Sequence, residues 1–327
     1  MRVGIIGCGL IGKKRAEAAQ GHEITRVADI RMERAEELAA LTGARPAREW
    51  EKVVEAEDVD CVVVAVSHDK LAEITLNCVN AGKHVLVEKP AARSLEELRP
   101  VIEAIEKKGV VLKVGFNHRF HPALLKAKEI FDSGGIGHLM FVRGRYGHGG
   151  RPGYEKEWRA NPAVSGGGEL IDQGVHLIDL ARWFLGDFSH VDGFVSTYFW
   201  DMLVDDNSFL ALRTPAGEMA WLHASWTEWK NLFSFEIYGR QGKLEINGLG
   251  GSYGVERLSH YRMSPAMGPP HAVTWEYPFP DNSWRLEFEE FVNAINKRRT
   301  PCGNIFDAAS ALEIVGRIYR KNYDYHA

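Results

Sequence analysis

Apolar positions in the first 120 residues alternate between short continuous runs and helix-spaced patterns. The runs are rich in β-branched residues, as is typical of strands buried on both faces of a sheet. They cover residues 2–7, 23–30, 60–66, 83–90 and 110–117. Amphipathic segments lie between them; 32–43 and 71–82 end on glycine, and 94–109 starts with Ser and Glu at capping-box spacing. This alternation predicts βαβ units and a doubly wound parallel sheet.

The pattern changes after residue 120. Helices are predicted at 122–133 and 169–185, and residues 188–280 form short, aromatic-rich strand patterns separated by turn signals. Two further helices, 283–298 and 306–322, follow. We therefore expect an α/β protein with two domains, the second built on a large, mostly antiparallel sheet with one face covered by helix.

Composition narrows the function classes. The chain has 327 residues, 45% hydrophobic and 26% charged, with a net charge of −4. This balance provides no basic field for nucleic acid or an anionic membrane, and no stretch approaches the about 18 apolar residues that span a bilayer. The chain opens directly on a strand pattern, and its four cysteines, Cys8, Cys61, Cys78 and Cys302, are widely spaced. We expect a cytoplasmic protein with reduced cysteines.

A glycine pattern, Gly7-Cys8-Gly9-Leu10-Ile11-Gly12, leaves the first strand and opens a helix. Gly7 permits a tight turn, Gly9 lets the backbone approach a pyrophosphate, and Gly12 allows close helix–strand packing. The N–H groups of the helix N-terminus, from Leu10 and Ile11 on, suit phosphate oxygens. This context predicts a dinucleotide site, with a glycine-rich turn that binds no ligand as the alternative.

Asp29 ends the second strand, 17 residues beyond the last glycine of the pattern. A carboxylate here accepts hydrogen bonds from the ribose hydroxyls and repels a 2′-phosphate, which favours NAD. Arg31 and Arg34 follow closely and leave NADP possible.

Lys89 follows Glu88 at the carboxyl end of a predicted parallel strand, where ligands bind in this architecture. Pro90 comes next, and the Lys89–Pro90 bond is a candidate for the cis form. A functional lysine and a solvated one remain open on position alone.

The segment SGGGELIDQGVHLID, residues 165–179, places three glycines before a helix whose other positions are largely apolar. Asp172 and His176 are i, i+4 neighbours on that helix, and Asp179 continues the same stripe. A polar stripe on a buried helix must be paired or face a cleft. A structural pair, a catalytic pair and a metal site with Glu169 are the alternatives, and the last is disfavoured because one helix supplies few ligands.

Four segments together resemble the glucose–fructose oxidoreductase/inositol dehydrogenase (Gfo/Idh/MocA) family. They are GCGLIG, AGKHVLVEKP, VGFNHRF and WRANPAVSGGGELIDQGVHLIDLARWFLG. The resemblance implies a Rossmann NAD(P)-binding domain in residues 1–120 and a substrate-binding and oligomerisation domain in 121–327. It further implies a homodimer or homotetramer formed through the second domain's open sheet, and a nicotinamide between the domains. The implied reaction is oxidation or reduction of a sugar, sugar nucleotide, sugar acid or cyclitol with NAD or NADP.

The resemblance makes Lys89, Asp172 and His176 the catalytic set. His176 or Lys89 would move the hydroxyl proton, Asp172 would orient the imidazole, and Lys89 would stabilise charge on the reacting oxygen. The glycines ahead of the helix would let the backbone pass close to cofactor and substrate. Asp179 is interpreted as structural support.

The cofactor residues expected from the motifs and the resemblance form one set, with no metal. They are Gly7, Gly9, Leu10, Ile11, Gly12, Asp29, Ile30, Arg31, Ser67, His68, Glu88, Lys89, Asn117, Trp158 and Arg159. The sequence departs from the family at Leu71, which occupies a position where many members carry a histidine.

Substrate residues are expected in the loop FVRGRYGHGGRPGYEKEWR and around the catalytic set. They are Lys89, Arg119, Arg145, His148, Arg151, Tyr154, Asp172 and His176. The basic residues of the loop suit an anionic substrate, and a solvent-exposed loop of scattered charges is the alternative.

Two other functions keep the cofactor. An NAD-dependent glycosidase would oxidise its substrate transiently at C3 and release an aglycone without net NADH. A non-catalytic sensor would bind the dinucleotide alone, and would have no need of Lys89, Asp172 and His176 together.

Overall fold

The computed structural model describes residues 1–323, which form two compact units. The first contains residues 1–116 and 284–312, and the second contains residues 117–283 and the described chain after 312. The division by function at residue 120 stays a prediction. The return of residues 284–312 to the first unit is a feature that the sequence pattern did not predict.

The first unit is built on a six-stranded parallel sheet in the order β3-β2-β1-β4-β5-β6. Its strands are β1 (Arg2–Ile6), β2 (Glu23–Ala28), β3 (Arg45–Ala47), β4 (Cys61–Val64), β5 (His84–Val87) and β6 (Leu112–Val114). Its helices are α1 (Leu10–Ala18), α2 (Met32–Thr42), α3 (Glu51–Val54), α4 (His68–Asn80) and α5 (Leu95–Lys108). The predicted doubly wound parallel sheet is confirmed; β3 and α3 are too short to show a periodic pattern.

Local signals fix the helix ends of this unit. Gly43 and Gly109 adopt the left-handed conformation directly after α2 and α5, where glycine avoids a Cβ clash. At the start of α5, the Ser94 hydroxyl accepts a hydrogen bond from the Glu97 N–H. The sequence predicted the glycine stop at Gly43 and the cap at Ser94.

The core of the first unit includes two phenylalanines from late in the chain. Phe288 and Phe291 are buried in one cluster with Ile5, Val63 and Leu86 of the sheet. They lie on α9 (Ser283–Asn296), an amphipathic helix that begins at the end of the second unit. Burial of these two rings explains why residues 284–312 belong to the first unit.

The second unit contains an eight-stranded sheet in the order β14-β13-β12-β11-β7-β10-β9-β8. The strands are β7 (Leu139–Gly147), β8 (His190–Ser196), β9 (Asn207–Arg213), β10 (Met219–Ser225), β11 (Leu232–Gly239), β12 (Gly242–Asn247), β13 (Glu256–Arg262) and β14 (His271–Tyr277). β7 pairs in parallel with β10, and the other pairs are antiparallel. The predicted mostly antiparallel sheet is confirmed.

The helices of this unit include α6 (Pro122–Asp132), α7 (Pro162–Ser165) and α8 (Val175–Leu185). α8 packs on β7 and β10 and covers one face of the sheet. The last helix, α10 (Ile305–Tyr323), starts in the first unit and ends in the second. Along residues 1–323, no helix combines the length and apolar character needed to cross a membrane.

The predicted continuous α-helix at 169–185 needs a correction. Residues Leu170–Gly174 form a π-helical turn, and regular α-helix starts at Val175. A π-turn adds a residue to the local repeat, so the segment departs locally from regular α-helical spacing. Such turns occur frequently at functional sites.

Candidate functional site

The three glycines of the first turn serve two different purposes. A Cβ on Gly7, which has φ +94°, would lie 2.2 Å from the Ala65 carbonyl oxygen, and one on Gly12 would lie 1.9 Å from the Gly7 oxygen. A Cβ on Gly9 would meet only the Arg34 guanidinium, at 3.8 Å. Gly7 and Gly12 are therefore required by the chain's own packing, and Gly9 faces open space that a ligand can use.

The start of α1 fits a dinucleotide phosphate. Gly9 caps the helix without any side-chain hydrogen bond, and no acidic residue lies in the first turn. Its leading N–H groups are therefore available to an anion, and the helix dipole favours one. Leu10 and Ile30 are 74% and 78% exposed, and Ile11 is half-buried beside them. These side chains offer apolar surface to a ligand at the mouth of the turn.

Asp29 is held in a fixed orientation at the end of β2. Its carboxylate oxygens accept hydrogen bonds from the Cys8 N–H at 2.8 Å and the Arg31 N–H at 2.9 Å. The remaining lone pairs can accept from ribose hydroxyls. Arg31 and Arg34 have exposed side chains.

Ser67 and His68 lie at the start of α4, just after β4. The Ser67 hydroxyl donates to Asp69 at 2.6 Å, and His68 is buried. Leu71 is fully buried in the core-facing side of α4. The departure from the family at Leu71 is thus an apolar packing position in this chain.

Lys89 is half-buried at the carboxyl edge of the sheet, after β5. The predicted cis Lys89–Pro90 bond is confirmed. Because the strands are parallel, the residues that follow β1, β2, β4 and β5 share this edge. The sheet thus places Lys89 at the same edge as the glycine turn, Asp29 and Ser67.

A buried ionic group fixes the residue before Lys89. The Arg15 guanidinium donates to Glu88 at 2.6 Å and to Glu287 of α9 at 2.6 Å, and Lys113 lies 3.5 Å from Glu287. Two cations and two carboxylates balance, which buried charges require. Glycine at position 115 provides the space for this group, because a Cβ there would lie 2.7 Å from the Arg15 side chain. The Glu88 carboxylate is therefore committed to Arg15.

In the second unit, Asp172 lies on the π-turn and is buried. Its Oδ2 accepts a hydrogen bond from the Arg159 Nε at 2.9 Å. The Arg159 guanidinium also stacks on Trp158, with 4.5 Å between the charge and the ring centroid. The WR segment and the DxGxH motif are thus brought together by a direct ion pair.

His176 lies one turn into the helical segment and stacks on a second histidine. The rings of His118 and His176 have centroids 3.8 Å apart and planes 24° apart. Tyr146 of β7 forms T-shaped contacts with both rings, at centroid distances of 5.1 and 6.3 Å, and its hydroxyl interacts with Tyr253. Burial raises the pKa of Tyr146 well above its usual range and also raises that of Tyr253. Gln173 donates to the Tyr253 hydroxyl at 3.3 Å.

Arg119, a predicted substrate residue, lies in a buried ion pair. Its Nε and Nη2 donate to the two oxygens of Asp179, at 2.8 and 2.6 Å. A buried bidentate pair of this kind is consistent with a structural role for Asp179. Asn117, a predicted cofactor residue, is also buried and donates to the Ser283 hydroxyl at 3.0 Å.

The predicted substrate loop does not place its basic groups together. Arg145 points to the opposite face of the sheet from its neighbour Tyr146, as alternate strand residues must. Arg151 pairs with Glu157 at 2.5 Å. His148 is brought against Tyr154, with ring centroids 5.5 Å apart, and burial lowers the pKa of His148.

The GGG turn is closed by the chain itself. A Cβ on Gly167 would lie 2.2 Å from the Tyr319 hydroxyl, and one on Gly168 would lie 1.9 Å from the Asp205 carbonyl oxygen. The Asp205 carboxylate accepts from the N–H groups of Gly168 at 3.0 Å and Leu170 at 2.8 Å, and from the Tyr319 hydroxyl at 2.9 Å. These glycines permit close packing on Asp205 and Tyr319, where a close approach to cofactor and substrate was expected.

Sequence reasoning missed His118, Tyr146, Tyr253, Asp205 and Tyr319. Alternation along β7 could have placed Tyr146 on the helix-covered face, and His118 stands inside a motif already singled out. Asp205 and Tyr319 lie far from the GGG turn in sequence, and no local signal links them to it. Within residues 1–323, no group of three or more His, Cys, Asp or Glu side chains is arranged to hold a metal ion.

Family models match both halves of the chain. Residues 1–116 match an oxidoreductase family with an NAD-binding Rossmann fold, and residues 124–245 match the GFO/IDH/MocA C-terminal domain. A levoglucosan dehydrogenase of Pseudarthrobacter phenanthrenivorans is 29% identical over 76% of this chain and 73% of its own length. The scyllo-inositol 2-dehydrogenase (NAD(+)) of Bacillus subtilis is 26% identical over 96% of this chain and 92% of its own length.

Solved structures agree with these matches. A levoglucosan dehydrogenase in complex with NADH and levoglucosan is 25% identical and superposes with a TM-score of 0.88, covering 99% of this chain and 97% of that one. GenD2 from gentamicin A biosynthesis, solved with NAD, is 23% identical with a TM-score of 0.85 over 100% and 95% of the two chains, a likeness of fold.

Fold, glycine turn and matches define an NAD-binding oxidoreductase with a Rossmann domain. The chain belongs to the Gfo/Idh/MocA family, as its motifs suggested. The predictions of an NAD cofactor and of an NAD(P)-dependent dehydrogenase or reductase of CH–OH groups are confirmed.

Proposed function

We propose that this protein oxidises a ring hydroxyl of an uncharged carbohydrate or cyclitol with NAD⁺. Two relatives reported above carry the names of dehydrogenases for such compounds, levoglucosan and scyllo-inositol. The proposal narrows the substrate range expected from sequence, which also included sugar acids and sugar nucleotides.

The pairing of Arg151 and Arg159 with carboxylates supports an uncharged substrate. Arg151 and Arg159 lie in ion pairs with Glu157 and Asp172, so two positive charges meet two negative ones. An anionic substrate would have to compete with these carboxylates for the guanidinium groups, whereas a polyol needs only hydrogen-bond donors and acceptors.

The chemical roles follow from the residue types. The glycine turn and Asp29 would hold NAD⁺, which would supply the hydride acceptor for the carbinol carbon. His176 accepts the hydroxyl proton, because an imidazole titrates near neutral pH. Lys89 donates a hydrogen bond to the same oxygen and stabilises its developing negative charge. Asp172 and Arg159 together hold the segment that carries His176.

A substrate panel tests this function. Purified protein with NAD⁺ is offered myo-inositol, scyllo-inositol and levoglucosan against glucuronate and UDP-glucose, and the NADH absorbance is followed. We expect turnover of a neutral compound, a fall in kcat of about 10² or more for Lys89→Met, and no change for the exposed Lys70→Met control.

Three results would overturn the proposal. Turnover of the anionic compounds alone would reverse the substrate class. Release of an aglycone from a glycoside without net NADH would indicate the glycosidase reaction. Bound NAD with no NADH formed from any of these compounds, or from a broader panel of polyols, would indicate a sensor.

We further propose that the enzyme is a homo-oligomer assembled through the open face of the second sheet. Apolar side chains lie exposed on this face, among them Trp221 at 55% and Phe194 at 65%. Large apolar side chains exposed on a sheet face are typical of an interface. Light scattering of the purified protein should give a dimer or tetramer, and Trp221→Glu should shift it toward monomer; a monomeric wild type would contradict this assembly.

A further inference from the structure

His118 is a buried histidine that the proposed reaction leaves without a role. It lies in a short 3₁₀ turn, Asn117–Phe120, that follows the sheet of the first unit in the chain. Its side chain is 4% exposed, like that of His176. A second imidazole stacked on the proposed base is an arrangement with consequences for proton transfer, because both rings can carry a charge.

The geometry fixes the tautomer of His118. Its Nδ1 lies 3.2 Å from the Asn117 Oδ1, while the Asn117 Nδ2 donates to the Ser283 hydroxyl. An amide oxygen only accepts hydrogen bonds, so the His118 Nδ1 carries a proton and donates it. Asn117 therefore fixes the orientation of the His118 ring. Because the His176 ring stacks on it with centroids 3.8 Å apart, His118 restricts the orientation of the His176 ring.

The stack also limits charge. Two imidazolium rings with centroids 3.8 Å apart in a buried site would repel strongly, so a proton on one ring opposes a proton on the other. A neutral His118 leaves His176 able to accept the substrate's proton. The face of the His118 ring also lies against the His176 imidazolium that forms when His176 accepts the proton.

Other charged groups near the stack are largely paired. Arg119 pairs with Asp179, His121 with Glu256, and Arg159 with Asp172. Tyr146 and Tyr253 add hydroxyl groups, and Glu169 and Asp172 act electrostatically on Tyr146. The His118 ring is in direct face-to-face contact with His176 and can therefore act on its charge.

We propose that His118 is a positioning residue for His176, holding the plane of the base and coupling its protonation to a second ring through the direct stack. The kinetic part of this inference rests on the proposed function. The protonation part concerns the protein alone and holds whether or not a substrate is known.

NMR of histidine-labelled protein without substrate tests the coupling. The His176 signal is assigned by its absence in His176→Gln. In the wild type, we expect His118 and His176 to titrate as a coupled pair in two steps at least about one pH unit apart. In His118→Phe, which keeps a flat ring, His176 should titrate in a single step. His138→Ala, at an exposed histidine, should titrate as the wild type.

Kinetics test the positioning. We expect His118→Ala to lower kcat by about tenfold or more with KM changed much less, and His118→Phe to restore most of kcat. His176 titrating identically in wild type and His118→Phe would overturn the coupling. A wild-type kcat for folded His118→Ala would overturn the positioning. If instead no substrate is turned over while the coupling is present, the proposed function fails and the coupled pair stands.

Discussion

Each compact unit has three glycines at the start of a helical segment, at residues 7–12 and at 166–168, and the two turns differ in what the glycines face. In the first turn, the space beside Gly9 is open, since a Cβ there would meet only the Arg34 guanidinium, at 3.8 Å. In the second, the spaces beside Gly167 and Gly168 are filled by Tyr319 and Asp205. The comparison separates a glycine beside open space, Gly9, from glycines that the chain's own packing requires, Gly167 and Gly168.

The largest loss of stability should come from a substitution in the second turn, at Gly168. In Gly168→Ala the new methyl would lie 1.9 Å from the Asp205 carbonyl oxygen, a backbone atom that cannot rotate away. We expect a loss of more than about 4 kcal/mol in the free energy of unfolding, measured by urea denaturation. Gly268→Ala, where nothing lies within 4 Å of the added Cβ, is the control and should be near neutral. A stable Gly168→Ala protein would mean that Asp205 does not constrain this turn.

The smallest effect on stability should come from Gly9→Ala. Gly9 has φ −71°, so alanine introduces no backbone strain, and its methyl makes ordinary contact at most. We expect the free energy of unfolding to change by less than about 1 kcal/mol. NAD affinity should nevertheless fall by about tenfold or more, because the methyl occupies space that the pyrophosphate needs. Calorimetry measures both, and unchanged NAD affinity would remove the distinction between the two turns.

Much of the first unit could be predicted from sequence because its signals are local. Continuous β-branched runs, glycine stops and the Ser94–Glu97 cap each act within a few residues, and the structure reproduces them. Gly7, Gly9 and Gly12 could also be assigned separate roles, since the βα turn is stereotyped.

What sequence could not predict depends on contacts between distant residues. The π-turn at Leu170–Gly174 leaves no periodic signature over five residues. The reason for the GGG run lies in Asp205 and Tyr319, and the stack on His176 comes from a residue 58 positions earlier, His118. The carboxylate partners of Arg151 and Arg159 come from outside the short pattern of basic residues, so their pairing was not predicted. In each case a tertiary contact decides between readings that the local pattern leaves equal.

The late helix α9 bears on how this chain is made. Phe288, Phe291 and Glu287 complete the core and the buried ionic group of the first unit, yet residues 117–283 are synthesised before them. Domains usually fold in order as the ribosome produces them. Here Arg15 and Glu88 of the nucleotide-binding unit lack their partner Glu287 until residues 117–283 have been synthesised. Its completion is therefore a late event in synthesis, and a chain that ends before α9 would leave this core open.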